Sequence, residues 1–186
     1  STNAGDQFDA ACVFIAAGAG SFTPRKPKLD GLDAFENHAL FYAVRNRSEF
    51  VGRDVVIVGG GDSALDWALD LEPDVTSLTL VHRSERFRAA PASISAMQER
   101  VAQGRLRFVE GELAALQGQG GQLERVTLKT KTGQEDIKAN RLLAFFGLNI
   151  ELGPIAEWGL DLADGKLISV DTEKFSTSTP GIFAIG

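Results

Sequence analysis

Gly59, Gly60, Gly61, Asp62, Ser63 and Ala64 form a GxGxxA turn directly behind the β-branched run Val55-Val-Ile-Val58. In such a turn the first glycine leaves the strand and the second lets a phosphate approach bare backbone. The small third residue lets the next helix sit close to the sheet. That helix points unpaired N–H groups and about half a positive charge at the phosphates. Asp62 and Ser63 are also good helix-capping types, so capping competes with binding at those two positions. About twenty residues on, many such folds carry an acidic residue for a ribose hydroxyl. Here that place holds His82 and Arg83, with Arg86 and Arg88 close behind. An arginine fork on a phosphate makes charge-assisted hydrogen bonds of roughly 1.5–3 kcal/mol each. Arg83 and Arg88 therefore suit a 2′-phosphate, and the residues read as a seat for NADPH. His82 either stacks or bonds beside that phosphate or is a partly buried strand-end histidine. Glu85 comes too late to hold a ribose.

The elements around this turn follow from periodicity. A strand over 54–58, a helix over 62–71 stopped by Pro73, and a strand over 76–82 fit in order. In the second strand Leu78, Leu80 and His82 alternate with Ser77, Thr79 and Val81. Pro91 opens a helix that Gly104 ends, and residues 105–109 make a third strand. Short strands over 113–116 and 123–129, joined by 117–121, then read as antiparallel, with Gly118, Gly120 and Gly121 as turn glycines. A strand near Ile137 follows, and the apolar run 142–146 returns to the parallel sheet. The expected fold class is α/β: a Rossmann-like three-layer NAD(P)-binding domain with an antiparallel β-meander, flanked by pieces of another domain. The divisions fall at 1–23, 24–148 and 149–186. Residues 39–44 fit a short strand or a helical turn. Ala11–Ala17 and 181–186 read as strands expected to pair with each other, Gly18-Ala19-Gly20 as a turn, Pro154–Trp158 as a short helix, and Ala163-Asp-Gly165 as a hairpin. The chain stops just after its last strand, which looks like a cut.

Net charge is −6 over 186 residues with a pI near 5.0, which argues against a nucleic-acid or anionic-membrane partner. The local basic cluster at 83–88 suits a small anionic ligand. Cys12 is the one cysteine, so no intrachain disulfide or CxxC exists; it sits in an apolar run and is expected to be buried filler, compatible with a reducing cytoplasm. No apolar run approaches the roughly 20 residues that span a bilayer. Asp66 and Asp70 read as a solvated helix face, Arg45, Arg47 and Glu49 as surface, and His38 has no visible partner for catalysis. No metal-ligand constellation stands out, and no residue is assigned a catalytic role.

Val56–Leu69, then Thr79-Leu-Val-His-Arg83 with Phe87-Arg88-Ala89, resemble the thioredoxin-reductase-like flavoproteins of the pyridine nucleotide-disulfide oxidoreductase superfamily. Phe41-Tyr-Ala-Val44, Glu49-Phe-Val-Gly52 and Gly147–Trp158 are similar to their ferredoxin/flavodoxin–NADP reductase branch. Phe14-Ile-Ala-Ala-Gly18 resembles the crossover that leaves an FAD domain, and Thr179–Gly186 the second FAD motif. The resemblance covers nearly the whole chain. It implies a fragment, inactive by itself, of a homodimeric parent in which NADPH reduces FAD and FAD passes electrons to ferredoxin or flavodoxin. It matches Gly59, Gly61, Asp62, Ser63 and Ala64 to the pyrophosphate turn and Arg83 and Arg88 to the 2′-phosphate arginines. Ser84 departs from it, since many relatives carry another arginine there, a role open to Arg86. Residues 34–53 contain no cysteine, so the redox CxxC of true thioredoxin reductases has no place there. The rival readings are the NADPH domain of a flavin-dependent monooxygenase or disulfide-reductase relative, and a non-catalytic NADP(H)-sensing module.

Overall fold

The computed structural model describes residues 4–18, 21–165 and 167–185. The expected turn at Ala19 and Gly20, and the end of the last strand at Gly186, lie outside them. The chain divides into two compact units, residues 24–147 and residues 1–23 with 148–186. In chain order the strands are β1 (Val13–Ile15), β2 (Ser21–Pro24), β3 (Leu40–Phe41), β4 (Asp54–Val58), β5 (Ser77–His82) and β6 (Arg107–Gln119). They continue with β7 (Gln122–Thr130), β8 (Gly133–Lys138), β9 (Arg141–Ala144) and β10 (Leu148–Glu151). Last come β11 (Leu162–Ala163), β12 (Leu167–Ile168) and β13 (Ile182–Ala184). The α-helices are α1 (Asp62–Leu71) and α2 (Pro91–Ala102).

In the larger unit one sheet runs β3-β9-β4-β5-β6-β7-β8. Its first five strands are parallel through β6, and β6, β7 and β8 are antiparallel. Val55 and Ile57 of β4 pack with Leu65, Ala68 and Leu71 of α1 and with Met97 of α2. Val56 and Val58 pack on the other face with Val126, Leu128 and Ile137 of the meander. The parallel strands are thus covered by helices on one face and by β-structure on the other. This mixed α/β architecture is the expected class.

Several local expectations change. β5 does not alternate in burial: Thr79 and Val81 are buried along with Leu78 and Leu80, because a central strand covered on both faces has no solvent side. The strands expected at 105–109 and 113–116 are one strand, β6. It pairs parallel to β5 through Glu110, then antiparallel to β7 from Gly111, with irregular register between Leu113 and Ala115. The loop expected over 117–121 shrinks to Gly120 and Gly121, whose φ values of 60° and 78° suit a two-residue hairpin turn. Residues 39–44 contribute the edge strand β3. Arg47 lies on the surface as expected, and there it bridges Asp70 and Asp74 at 2.8 Å each and also donates to the Asp70 carbonyl. Asp70 lies on the exposed face expected for it and there also tethers the end of α1 through Arg47.

Asp54 opens β4 with a buried carboxylate that accepts from Ser77 Oγ (2.7 Å) and pairs with Lys138 Nζ (2.8 Å). The Lys138 hydrogen bond, with help from Ser77, holds its pKa below the ordinary 3.8 against the cost of burial. A depressed carboxyl pKa stabilises the fold fully above the unfolded value and loses that contribution as pH falls through the folded one. Urea midpoints measured between about pH 5 and pH 2 are therefore expected to fall more steeply for the wild type than for Asp54→Asn. Parallel curves would mean that the ion pair does not contribute.

In the smaller unit β1 and β13 pair in parallel, as expected, with Val13 opposite Ile182 and Ile15 opposite Ala184. β2 pairs with β10, and β11 with β12 as the expected hairpin. The expected short helical piece near Pro154 is a 3-10 helix over Gly153–Glu157. Ile15, Leu160 and Ala184 form a small core. Cys12 is exposed, contrary to the buried reading. Only one face of the β1–β13 ribbon is covered within this unit, so Ile15 is buried while Phe14 stays 67% exposed. Among the described residues no helix is long and apolar enough to cross a membrane.

Candidate functional site

β4 delivers Gly59 to the C-terminal edge of the parallel sheet, beside the end of β5. Gly59 donates its N–H to the Val81 carbonyl (3.0 Å), so the turn begins while still tied to the neighbouring strand. A Cβ on Gly59 would stand 2.9 Å from both Ala64 Cβ and the Phe145 carbonyl oxygen, which leaves no room for any side chain. Gly60 lies directly beneath the His82 ring, so a side chain there would collide with the imidazole. Gly61 differs from both. The nearest atom to a Cβ there is the Arg88 carbonyl oxygen at 3.8 Å. Its missing side chain is not demanded by packing within the chain, and the space is what an approaching phosphate requires.

α1 begins at Asp62 with Gly61 as its N-cap, and no side chain caps it. Of the two roles open to Asp62 and Ser63, capping is not the one seen. Asp62 Oδ1 instead accepts the Ala90 N–H at 2.8 Å, across 28 residues. Further along the same helix, Ser93 Oγ donates to Asp66 Oδ1 (3.2 Å). The Arg88 N–H donates to the Gly60 carbonyl at 2.6 Å, forming a bridge between Gly61 and Arg88. Segment 83–90 is thereby strapped against the glycine turn, and both candidate halves of the site share one hydrogen-bonded framework.

His82 is the hinge of that framework. Its Nε2 lies 3.3 Å from the Arg86 carbonyl, and its ring sits 5.4 Å from Phe87, which in turn packs at 5.4 Å on Phe108. Burial is the largest cause that pushes its pKa down; the Arg86 hydrogen bond opposes this, and the charges of Arg83 and Arg88 add to the lowering. Both arginines are thus electrostatic neighbours of the imidazole. Arg83, Arg86 and Arg88 are all exposed, and among the described residues none forms an ion pair with a carboxylate. Ser84 Oγ accepts from the Arg86 N–H at 3.3 Å, so the residue that departs from the family pattern braces the loop. The structure therefore brings together Gly59, Gly60, Gly61, Asp62, Ser63, Ala64, His82, Arg83 and Arg88. Phe87, Phe145 and the Asp62–Ala90 link were not anticipated. The distance from Asp62 to Ala90 hides the link, and Phe145 had carried only the signal of an apolar strand.

The family model for pyridine nucleotide-disulphide oxidoreductases matches residues 1–186. The chain is 51% identical over 185 residues to the ferredoxin–NADP reductase of Beijerinckia indica subsp. indica, matching all of this chain and 54% of that protein. It is 50% identical to the ferredoxin–NADP reductase of Parvibaculum lavamentivorans, again over the whole chain and 54% of the relative. The chain thus spans about half the length of these relatives. Its fold is shared with the thioredoxin reductase of T. acidophilum, at a TM-score of 0.81 and 22% identity over 98% of this chain and 59% of that one. The same holds for the thioredoxin reductase of Lactococcus lactis, with a TM-score of 0.79 and 24% identity over the same shares. A match along the full length, with half of all residues identical to named members, makes this chain a member of the pyridine nucleotide-disulphide oxidoreductase family.

Proposed function

We propose that residues 24–148 are the NADPH-binding part of an FAD-dependent oxidoreductase, and that residues 1–23 and 149–186 belong to its FAD-binding part. In the whole protein, electrons pass from NADPH through the flavin to ferredoxin or flavodoxin. The observation that carries this reading is the set of three exposed arginines that have no carboxylate partner among the described residues, on a segment strapped by backbone hydrogen bonds to an uncapped helix start. NADPH, when bound, supplies a hydride for the flavin. The residues of this chain do the holding. Gly61 admits the pyrophosphate to the backbone, the start of α1 faces it with N–H donors, and Arg83 and Arg88 neutralise the 2′-phosphate. His82 keeps the loop in place through the Arg86 carbonyl. For the flavin part, the parallel β1–β13 pair is consistent with neighbouring strands of a second nucleotide-binding sheet. The relatives' names support ferredoxin as acceptor, and a single cysteine leaves this chain without a dithiol of its own.

Calorimetric titration of the chain with NADP+ and with NAD+ tests the nucleotide half of the proposal. NADP+ is expected to bind at least tenfold tighter. Equal affinities would remove the 2′-phosphate role of the loop. NADPH-driven reduction of ferredoxin and of flavodoxin by the full-length protein tests the other half.

A further inference from the structure

A polar cleft of about 650 Å³ lies at the other edge of the same parallel sheet, where the strands begin. Arg53 stands immediately before β4, and Arg141 opens β9, the strand paired with β4, opposite Val55. The topology therefore sets two arginines beside each other, the length of β4 away from the glycine turn (about 16 Å for five residues). Asn140 lies between them. Its Oδ1 accepts the Asp54 N–H at 3.3 Å, which turns its NH₂ group to the other side. The Gly120-Gly121 turn closes the cleft from above, since a Cβ on Gly121 would lie 3.4 Å from the Ala34 carbonyl oxygen and 3.7 Å from His38 Cβ.

The charges there are not balanced. Arg141 donates to the Glu49 and Asn140 carbonyls at 3.1 and 2.9 Å, which are neutral acceptors. Among the described residues, neither Arg53 nor Arg141 forms an ion pair, whereas Arg47, Arg100, Arg105, Arg107 and Arg125 each do. Glu49 contributes only at longer range, and the Asp54 carboxylate is taken by Lys138 and Ser77. Burial, and then the like charge of Arg53, hold the Arg141 pKa below its ordinary value. Among the described residues, arginines without carboxylate partners cluster in the 83–88 loop and in this cleft, Arg45 standing alone elsewhere in the unit. The first is the proposed phosphate seat.

We propose that the cleft is a second anion site, in which Arg53 and Arg141, with the Asn140 amide, bind a small phosphate-bearing metabolite. Two guanidiniums call for a divalent anion, and planar forks match phosphate oxygens in pairs. Leu123 is the one large apolar residue of the lining, so the cleft is predominantly polar and suits a charged, hydroxyl-rich ligand. The volume exceeds that of a lone phosphate, which points to a phosphate ester.

The test is calorimetric titration of the chain with inorganic phosphate and with a hexose monophosphate, in low-chloride buffer. The proteins are the wild type, Arg53→Gln, Arg53→Lys, Arg141→Gln and Arg88→Gln. Arg53→Gln is expected to weaken the hexose monophosphate at least tenfold, with partial recovery in Arg53→Lys, while Arg88→Gln keeps the Arg53-dependent binding. Among the described residues Arg53 forms hydrogen bonds only through its backbone, to Phe50, Thr76 and Ser77, so its side-chain variants keep the test readable if Arg141→Gln disturbs the Glu49 and Asn140 contacts. Three results would each overturn the proposal: no binding to the wild type, loss with Arg88→Gln but not with Arg53→Gln, or tighter binding of malonate than of either phosphate.

Discussion

Gly59→Ala is expected to destabilise the chain by about 1–3 kcal/mol and to abolish nucleotide binding. The added methyl meets Ala64 Cβ and the Phe145 carbonyl at 2.9 Å and Phe145 Cβ at 3.0 Å. None of these is the far end of a flexible side chain. Ala64 is fully buried on α1, and Phe145 is fixed by its N–H to the Val58 carbonyl at 2.8 Å. Relief therefore requires strand and helix to separate, which displaces the helix start that faces the phosphates. Gly61→Ala is the matched control, because the nearest atom there is 3.8 Å away. Its unfolding free energy, read from urea denaturation, is expected to stay within about 0.5 kcal/mol of wild type. Its NADP+ affinity is nevertheless expected to drop more than tenfold, since the methyl occupies the pyrophosphate's path. Chemical denaturation and calorimetry on both variants separate packing from binding. Normal NADP+ binding by Gly61→Ala would show that the turn is not the pyrophosphate seat.

The contrast between those glycines also marks what a sequence can convey. The GxGxxA spacing located the turn and the helix behind it, because such signals are local: a β-branched run, three glycines and apolar residues at helical spacing. It assigned a reason to Gly59 and to Gly61 but none to Gly60, where the close approach comes from His82, on a different strand. The burial of Thr79 and Val81 was hidden for the same reason. Residues that cover the second face of β5 lie in the meander, more than forty residues later. Arg107–Gln119 read as two strands because the change from parallel to antiparallel partner sits at Gly111, and a glycine inside a strand mimics a break. Cys12 shows the converse. An apolar run is buried only if something covers it, and within its unit only one face of β1 is covered. The arginines at 53 and 141 are 88 residues apart in sequence and meet only through the β4–β9 pairing.

Replacing Arg83 and Arg88 together by alanine is expected to weaken NADP+ by one to three decades and to leave NAD+ within about twofold. Both guanidiniums are exposed, so solvent screens them and the lower half of that range is favoured at physiological salt. The selectivity of the wild type should accordingly shrink as ionic strength rises. The substitution leaves the loop's frame in place, because the strap to Gly60 is the Arg88 backbone N–H and the brace at Arg86 runs through the Ser84 hydroxyl and the His82 ring. That separation makes the experiment decisive between two roles. If the arginines read the 2′-phosphate, the ratio of NADP+ to NAD+ affinity collapses while NAD+ is untouched. If they only shape the loop, both nucleotides weaken by the same factor. Arg86→Ala alone is expected to have the smaller effect, since Arg83 and Arg88, and not Arg86, are the guanidiniums whose charges bear on His82 at the mouth of the turn. A larger loss from Arg86→Ala than from either neighbour would transfer the phosphate contact to Arg86, with Ser84 leaving the space for it.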